Sequence, residues 1–255
     1  MMGITALRGG LTVQYLLPCK DGYLMVEAGD HREFPRFLRK LKKAGVDPRE
    51  IRYLFLTHHH GDHAGFTASL REISDCRIIA HREAIPFMRE GSISLAPGGG
   101  ATTRLVKFVF SLGLKLNRAV ETREGDILVE GGFPPVEPQE GDILVEGDDD
   151  EILRSLGVPG KILHTPGHTP DCITLLLDDG SCFCGDAATS FAQWLGTRYC
   201  CFYITDMAAN YRSWRKMLDS GARTIYPAHG KPFPAEKLQA NLDHYTQEDL
   251  QPFSI

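Results

Sequence analysis

The chain reads first as an alternation of two hydrophobic periods. Residues 11–17 and 23–28 are apolar runs rich in strand formers, separated by Pro18-Cys19-Lys20-Asp21-Gly22, which predicts a hairpin. Asp30 with Glu33 marks a helix start, and Phe34, Phe37, Leu38 and Leu41 follow at helical spacing before Gly45. Residues 51–57 predict a buried strand that runs straight into a histidine-rich turn. The pattern then predicts a helix over 66–73, a strand over 77–80 and a short helix over 81–89. Residues 92–100 carry a proline and a glycine triplet and predict a loop. Residues 104–116 are apolar on several faces; they read as a core helix, or as a lid or substrate wall behind that loop. Later strands are predicted over 161–165, 172–177, 181–185 and 223–226, and helices over 207–218 and 235–245.

The octapeptide EGDILVEG occurs at 124–131 and again at 140–147. Two copies are too few for a solenoid and read as a repeated turn plus strand. The acidic stretch 148–151 reads as a solvated turn. No proline-rich linker divides the halves, so the expectation is one layered αβ domain over 1–255, with 92–150 as the place for a lid or insert.

Composition adds exclusions. With 255 residues, 42% apolar and 24% charged, the chain has the make-up of a soluble globule and not of a disordered one. A net charge of -5 gives no basic footprint for nucleic acid. Seven cysteines, an odd number in a long chain, argue against a disulfide framework and for a reducing compartment. The N-terminal stretch lacks the apolar core of a leader peptide, and no apolar run approaches the ~18 residues that span a membrane. The expectation is a cytoplasmic protein that engages a small molecule, with no membrane and no nucleic acid as partner.

The chemistry concentrates in His58, His60, Asp62 and His63, an H-x-H-x-D-H pattern directly after the strand predicted over 51–57. Imidazole and carboxylate suit zinc and other first-row divalent ions, and a tight turn gathers several such ligands at small entropic cost. An expression tag would sit at a terminus, and this cluster does not. His59 would point away from its neighbours if the loop is extended, beside the site or exposed. His164 and His168 compete on spacing alone, while His31, His81 and His244 read as surface or cap residues. Cys182 and Cys184 alternate on a strand, face the same side and read as core.

The segment Thr57-His58-His59-His60-Gly61-Asp62-His63-Ala64-Gly65 resembles the signature loop of the metallo-β-lactamase-fold superfamily. Thr165-Pro166-Gly167-His168-Thr169-Pro170, Gly185-Asp186 and Pro227-Ala228-His229-Gly230 follow in chain order and resemble its remaining motifs. The resemblance implies an α+β fold, a four-layer αββα sandwich of two mixed β-sheets. It implies a binuclear centre, most often zinc, with iron or manganese as alternatives. One ion falls to His58, His60 and His168, the second to Asp62, His63 and His229, and Asp186 bridges both. Glu27 stands where the family has an early aspartate at the end of the second strand.

Two divalent ions, two ligand carboxylates and a bridging hydroxide leave such a site net positive, fit to lower the pKa of a water and to stabilise an oxyanion. The expected activity is hydrolysis of an ester, lactone or thioester, with Asp62 as the catalytic carboxylate that orients the nucleophile or takes its proton. β-Lactamases of this fold usually carry a cysteine where Asp186 stands, which argues against antibiotic hydrolysis. Flavodiiron oxygen reductases replace a signature histidine and add a flavin domain. The lactonases offer a tyrosine soon after the bridging aspartate, whereas here Ala187, Ala188, Thr189 and Ser190 follow it. A phosphodiesterase, a mononuclear iron enzyme of the persulfide dioxygenase kind and a non-catalytic metal-binding member remain as alternatives. Phe191, Trp194, Tyr199, Phe202 and Tyr203 form an aromatic cluster that serves either as a core or homodimer contact or as a wall for an apolar substrate group. Lys231 reads as solvated, with an anionic substrate as its other use.

Overall fold

The computed structural model describes residues 3–92, 100–108, 132–243 and 253–254. The N-terminal part forms β1 (Thr5–Leu7), β2 (Gln14–Cys19), β3 (Gly22–Val26), α1 (Phe34–Ala44), β4 (Ile51–Phe55), α2 (Gly61–Ala64), α3 (Thr67–Ser74), β5 (Arg77–His81) and α4 (Ile85–Glu90). After β6 (Gly100–Ala101) come β7 (Ile143–Val145) and a single turn, α5 (Ile152–Ser155). The C-terminal part forms β8 (Gly160–His164), β9 (Ile173–Leu177), β10 (Ser181–Gly185), β11 (Tyr203–Ile204), α6 (Met207–Asp219), β12 (Thr224–Pro227), β13 (Phe233–Pro234), α7 (Glu236–Leu242) and β14 (Phe253–Ser254).

Two mixed sheets result, in the orders β1-β2-β3-β4-β5-β7 and β13-β12-β10-β9-β8, with a small third sheet β11-β6-β14. The hairpin pairs β2 with β3 antiparallel, while β3, β4, β5 and β7 run parallel. The side-chain period of two explains the layering. Tyr15, Leu17, Leu24, Val26, Phe55 and Ile79 face Ile162, Ile173, Leu175 and Phe183, so these alternate positions fill the space between the two large sheets. The intervening residues Leu16, Met25, Leu54 and Ile78 turn outward onto Phe37 and Leu41 of α1 and Leu70 of α3. On the other side Leu176, Cys182, Cys184 and Ile225 meet Met207, Trp214 and Met217 of α6 and Leu238 of α7. Helix, sheet, sheet, helix is therefore the layer order, the αββα sandwich anticipated above. Each sheet buries both of its faces, which is why β9 is apolar nearly throughout instead of alternating.

Several boundaries differ from the sequence expectations. The first hairpin strand begins later than predicted and the second ends earlier, because Leu11 is exposed and Thr12 and Val13 turn toward the site described below. The segment 81–89 splits into a short 3-10 turn, Arg82–Ala84, capped by the His81 side chain, and α4. The second octapeptide is a turn followed by β7, as read; the first copy lies outside the described residues. Residues 148–151 are not simply solvated: Asp148 accepts from the His164 amide and from Lys216, and Asp149 accepts from the amides of Glu151 and Ile152 at the start of α5. Residues 104–108 are helical, while 109–116, most of the loop predicted over 92–100, and His244 also lie outside the described residues. Among the described residues no helix is long and apolar enough to cross a membrane.

Candidate metal centre

Strands β8, β10 and β12 run in the same direction, since β9 is antiparallel to both of its neighbours and β10 is parallel to β12. Their carboxyl ends lead to His168, Asp186 and His229. β4 of the other sheet ends in the loop that carries His58 and His60 and opens α2, whose first turn holds Asp62 and His63. Bonds between the sheets fix this mouth: the Ile173 amide donates to the Thr57 carbonyl (2.8 Å), the Val13 amide to Ala228 (2.8 Å) and the Tyr15 hydroxyl to Pro227 (2.9 Å). Two glycines allow the close approach. A Cβ on Gly185 (φ 55°) would lie 2.1 Å from Thr57 Oγ1, and one on Gly167 (φ 145°) would lie 2.5 Å from the Asn210 backbone nitrogen. The Trp214 indole donates to the Ala187 carbonyl and ties α6 to the residue after Asp186.

All seven anticipated ligands meet at this mouth. His168 Nε2 lies 3.1 Å from His58 Nε2 and 3.0 Å from His60 Nδ1. Asp62 Oδ2 lies 3.1 Å from His229 Nε2 and 3.6 Å from His63 Nε2. Between the two groups stands Asp186, with Oδ2 3.6 Å from both His63 Nε2 and His168 Nε2 and Oδ1 3.3 Å from His229 Nε2. The donor atoms of His58, His60 and His168 fall within 4.8 Å of one another, as do those of Asp62, His63 and His229, and those of His58, His63 and Asp186.

The hydrogen-bond partners of the rings orient these donor sets to suit cations. His168 Nδ1 is 2.8 Å from the Tyr203 carbonyl, which only accepts, so Nδ1 carries the proton and Nε2 turns a lone pair inward. Burial pushes His58 and His60 well below the ordinary imidazole range, and the neighbouring imidazoles add to it. Three neutral imidazoles thus aim nitrogens at one point. His229 Nδ1 donates to the Leu11 carbonyl (3.0 Å), so its Nε2 faces the carboxylates of Asp62 and Asp186. Burial alone would lower His229, but Asp186 and Asp62 outweigh it and push it up to about 9. His63 is raised in the same way against its own burial by Asp62, Glu27 and Asp186. Burial would raise Asp186, but His229 and His63 hold it well below the usual carboxylate range. The buried His63 Nε2 and Asp186 Oδ1 make no hydrogen bond among the described residues. Imidazole nitrogens and carboxylate oxygens gathered at these separations form clusters able to bind divalent metal ions.

A match to the family model of the metallo-beta-lactamase superfamily spans residues 7–229, from β1 to the last histidine of the centre. The chain belongs to the metallo-beta-lactamase superfamily. It is 23% identical over 252 residues to the beta-lactamase-like protein 2 homolog of Drosophila melanogaster, a match covering 94% of this chain and 66% of that protein. The chain thus spans just under two-thirds of that relative's length. A metallo-beta-lactamase family protein from Thermus thermophilus superposes with a TM-score of 0.65 at 22% identity, covering 95% of this chain and 79% of the other. An archaeal superfamily protein from Sulfolobus tokodaii superposes with a TM-score of 0.61 at 20% identity over 99% and 90% of the two chains.

Within this superfamily member the remaining histidines separate by their partners. His164 stays out of the centre, bonding the Pro170 carbonyl and stacking on His81 at 4.4 Å. His31 is exposed beside Asp30, and His81 is a cap that is nevertheless buried. His59 is not exposed. Its amide and Nδ1 both lie 2.9 Å from the Asp171 carboxylate, and its ring stacks on Phe87 at 4.1 Å. Asp171 is itself buried; burial would raise it, but the His59 hydrogen bond and charge hold it down to about 2. Glu27 accepts from the Thr57 hydroxyl and lies 3.2 Å from His63 Nδ1, which leaves Nε2 to face Asp62 and Asp186. It does this from a left-handed backbone (φ 68°) at the end of β3.

Sequence reasoning missed Asp171 and Cys201. Asp171 follows the second histidine motif directly, and a carboxylate one loop away from a buried histidine was the available signal. Cys201 carried none, since only the fold brings its Sγ to 3.0 Å from Asp186 Oδ2. Cys182 and Cys184 pack in the core under α6, as expected.

Proposed function

We propose that the protein is a binuclear metal-dependent hydrolase that cleaves an ester, lactone or thioester bond of a small molecule. The observation that carries this reading is Asp186, a carboxylate that stands between the two donor clusters, with Oδ2 facing both His168 and His63 and Oδ1 facing His229. His58, His60 and His168 would hold one ion, and Asp62, His63 and His229 the other. When bound, the ions lower the pKa of a water and stabilise the oxyanion of the attacked carbonyl. The protein orients the acceptor groups around that water. Asp62 is the most exposed of the seven side chains, its backbone carbonyl is fixed by the Thr12 hydroxyl (2.7 Å), and its carboxylate is the group placed to take the water's proton. The His229 Nδ1–Leu11 and His168 Nδ1–Tyr203 bonds prevent either ring from turning its Nε2 away.

Protein purified without chelator is expected to carry about two zinc, iron or manganese ions per chain by elemental analysis. Recovery of folded, metal-free protein from such a preparation would count against the centre. The reaction is checked by a panel of nitrophenyl esters, lactones and bis-nitrophenyl phosphate, run with the metal analysis. Turnover confined to the phosphate diester would replace the ester reading with a phosphodiesterase.

The surface beside the centre favours a substrate with an apolar group. The Ser190 amide donates to the His229 carbonyl, and the Thr189 hydroxyl bonds the same oxygen, so the chain that follows is tied to the site. It presents Phe191 and Trp194, 50% and 77% exposed, and Leu11, whose carbonyl holds His229 Nδ1, is exposed as well. Tyr199 instead packs on Phe233 in the core, so the aromatic cluster divides between rim and core. Trp194→Ala is expected to raise KM for a long-chain nitrophenyl ester roughly tenfold with little change in kcat, the pattern of lost uniform binding. Its thermal midpoint should stay near wild type because the ring is exposed. Unchanged KM across an acyl-length series would remove Trp194 from the substrate wall.

A further inference from the structure

We propose that Cys201 is a sulfur ligand of the metal centre, completing a His168–Asp186–Cys201 donor set that biases it toward zinc over manganese or magnesium. The assignment rests on the reading of the centre as binuclear.

Cys200 and Cys201 are adjacent but differently placed. Cys200 turns into the core under α6, with its sulfur 4.0 Å from the Met207 sulfur and 3.9 Å from the Tyr211 hydroxyl. Cys201 turns the other way, and its buried Sγ lies 3.0 Å from Asp186 Oδ2. That oxygen is also the one shared with His168 Nε2 and His63 Nε2. The donor atoms of His168, Asp186 and Cys201 all fall within 4.8 Å of one another. Nitrogen, oxygen and sulfur therefore converge beside the three-imidazole cluster, through the His168 that both groups share.

The sulfur–oxygen separation suits ligation of one ion. Ligands at about 2.3 Å for sulfur and about 2.0–2.2 Å for oxygen, at angles of about 90–109°, stand roughly 3.1–3.6 Å apart. The observed 3.0 Å is close to that range. Without a cation the sulfur contributes little at this position, because a thiol is a weak hydrogen-bond donor. The backbone reaches the position at some cost, since Arg198 and Tyr199 adopt left-handed φ values of 48° and 69° just before the two cysteines. The same loop then delivers the Tyr203 carbonyl to His168 Nδ1 and the Thr205 hydroxyl to the His168 carbonyl, so the thiol and the histidine are held by one short stretch of chain. A thiolate among imidazole and carboxylate ligands is a soft donor that discriminates against oxygen-loving manganese and magnesium.

Cobalt substitution of the full chain and X-ray absorption of the zinc-loaded wild type test the assignment. Wild-type protein titrated with Co²⁺ should develop a sulfur-to-cobalt charge-transfer band that saturates at one equivalent, and Cys201→Ser should lose that band. Zinc-loaded wild type should show about one sulfur neighbour per two zinc ions at about 2.3 Å. If Cys201→Ser does not fold, the absorption measurement on the wild type decides alone. Two bound ions with only nitrogen and oxygen neighbours, or a band that survives in Cys201→Ser, overturns the assignment and leaves the binuclear reading standing. A wild-type chain that retains no ion overturns both.

Discussion

Asp186→Ala is expected to lower turnover of any substrate by more than about a thousandfold, beyond the ~10²–10³-fold loss that follows removal of one electrostatic stabiliser. The side chain is buried and its oxygens face members of both donor clusters, so its loss would remove a proposed ligand from each at once. The chain should nevertheless fold. His63 keeps Asp62 and Glu27 as anionic neighbours and His229 keeps Asp62, so neither imidazole is left as an unpaired buried charge. Steady-state kinetics, metal content and far-UV circular dichroism on the same preparation check all three parts. Full activity in a variant that has lost both ions would defeat the metal mechanism outright.

Asp171→Asn should weaken binding of the ion assigned to His58, His60 and His168 by roughly 10–100-fold, the usual cost of disturbing a partner behind a ligand. Among the described residues no hydrogen bond or ion pair joins Asp171 to a proposed ligand. It acts by clamping His59, whose amide and ring both bond its carboxylate, and His59 lies between His58 and His60 in the chain. The clamp joins the β4 loop to the loop of His168, with the Ile173–Thr57 bond alongside it. Asp62, His63 and His229 have no such link to Asp171, so the second ion should bind with nearly unchanged affinity. Calorimetric titration of the metal-free variant resolves the two steps. Equal weakening of both, together with a lowered thermal midpoint, would reduce Asp171 to general support of the fold.

The legible parts of this protein were those governed by local pattern. The β10 boundaries follow from a run closed by turn residues on both sides, and α6 follows from Met207, Tyr211, Trp214 and Met217 at helical spacing. The seven proposed ligands were legible because each sits in a short motif at the end of a strand. What escaped depends on contacts distant in sequence. Whether His59 is buried is decided by Asp171, which lies beyond several intervening elements. Cys201 is indistinguishable from Cys200 until the loop after Asp186 folds back. Glu27 could be placed at its position from sequence, but its contact with His63 Nδ1 needed the parallel pairing of β3 with β4. The short strands β1, β6, β11 and β13 were missed because two or three residues carry too little periodicity to register.

The ligands' order along the polypeptide carries a consequence for biosynthesis. Each proposed ion draws on both halves of the chain: His168 must join His58 and His60, and His229 must join Asp62 and His63. On a ribosome that emits the N-terminal half first, the early histidines emerge as a bare, incomplete chelate. Closing such widely separated contacts is slow relative to local helix and hairpin formation. Ion capture therefore belongs to the last stage of maturation, after translation has passed His229, and the nascent polypeptide must reach that stage on its apolar layers alone.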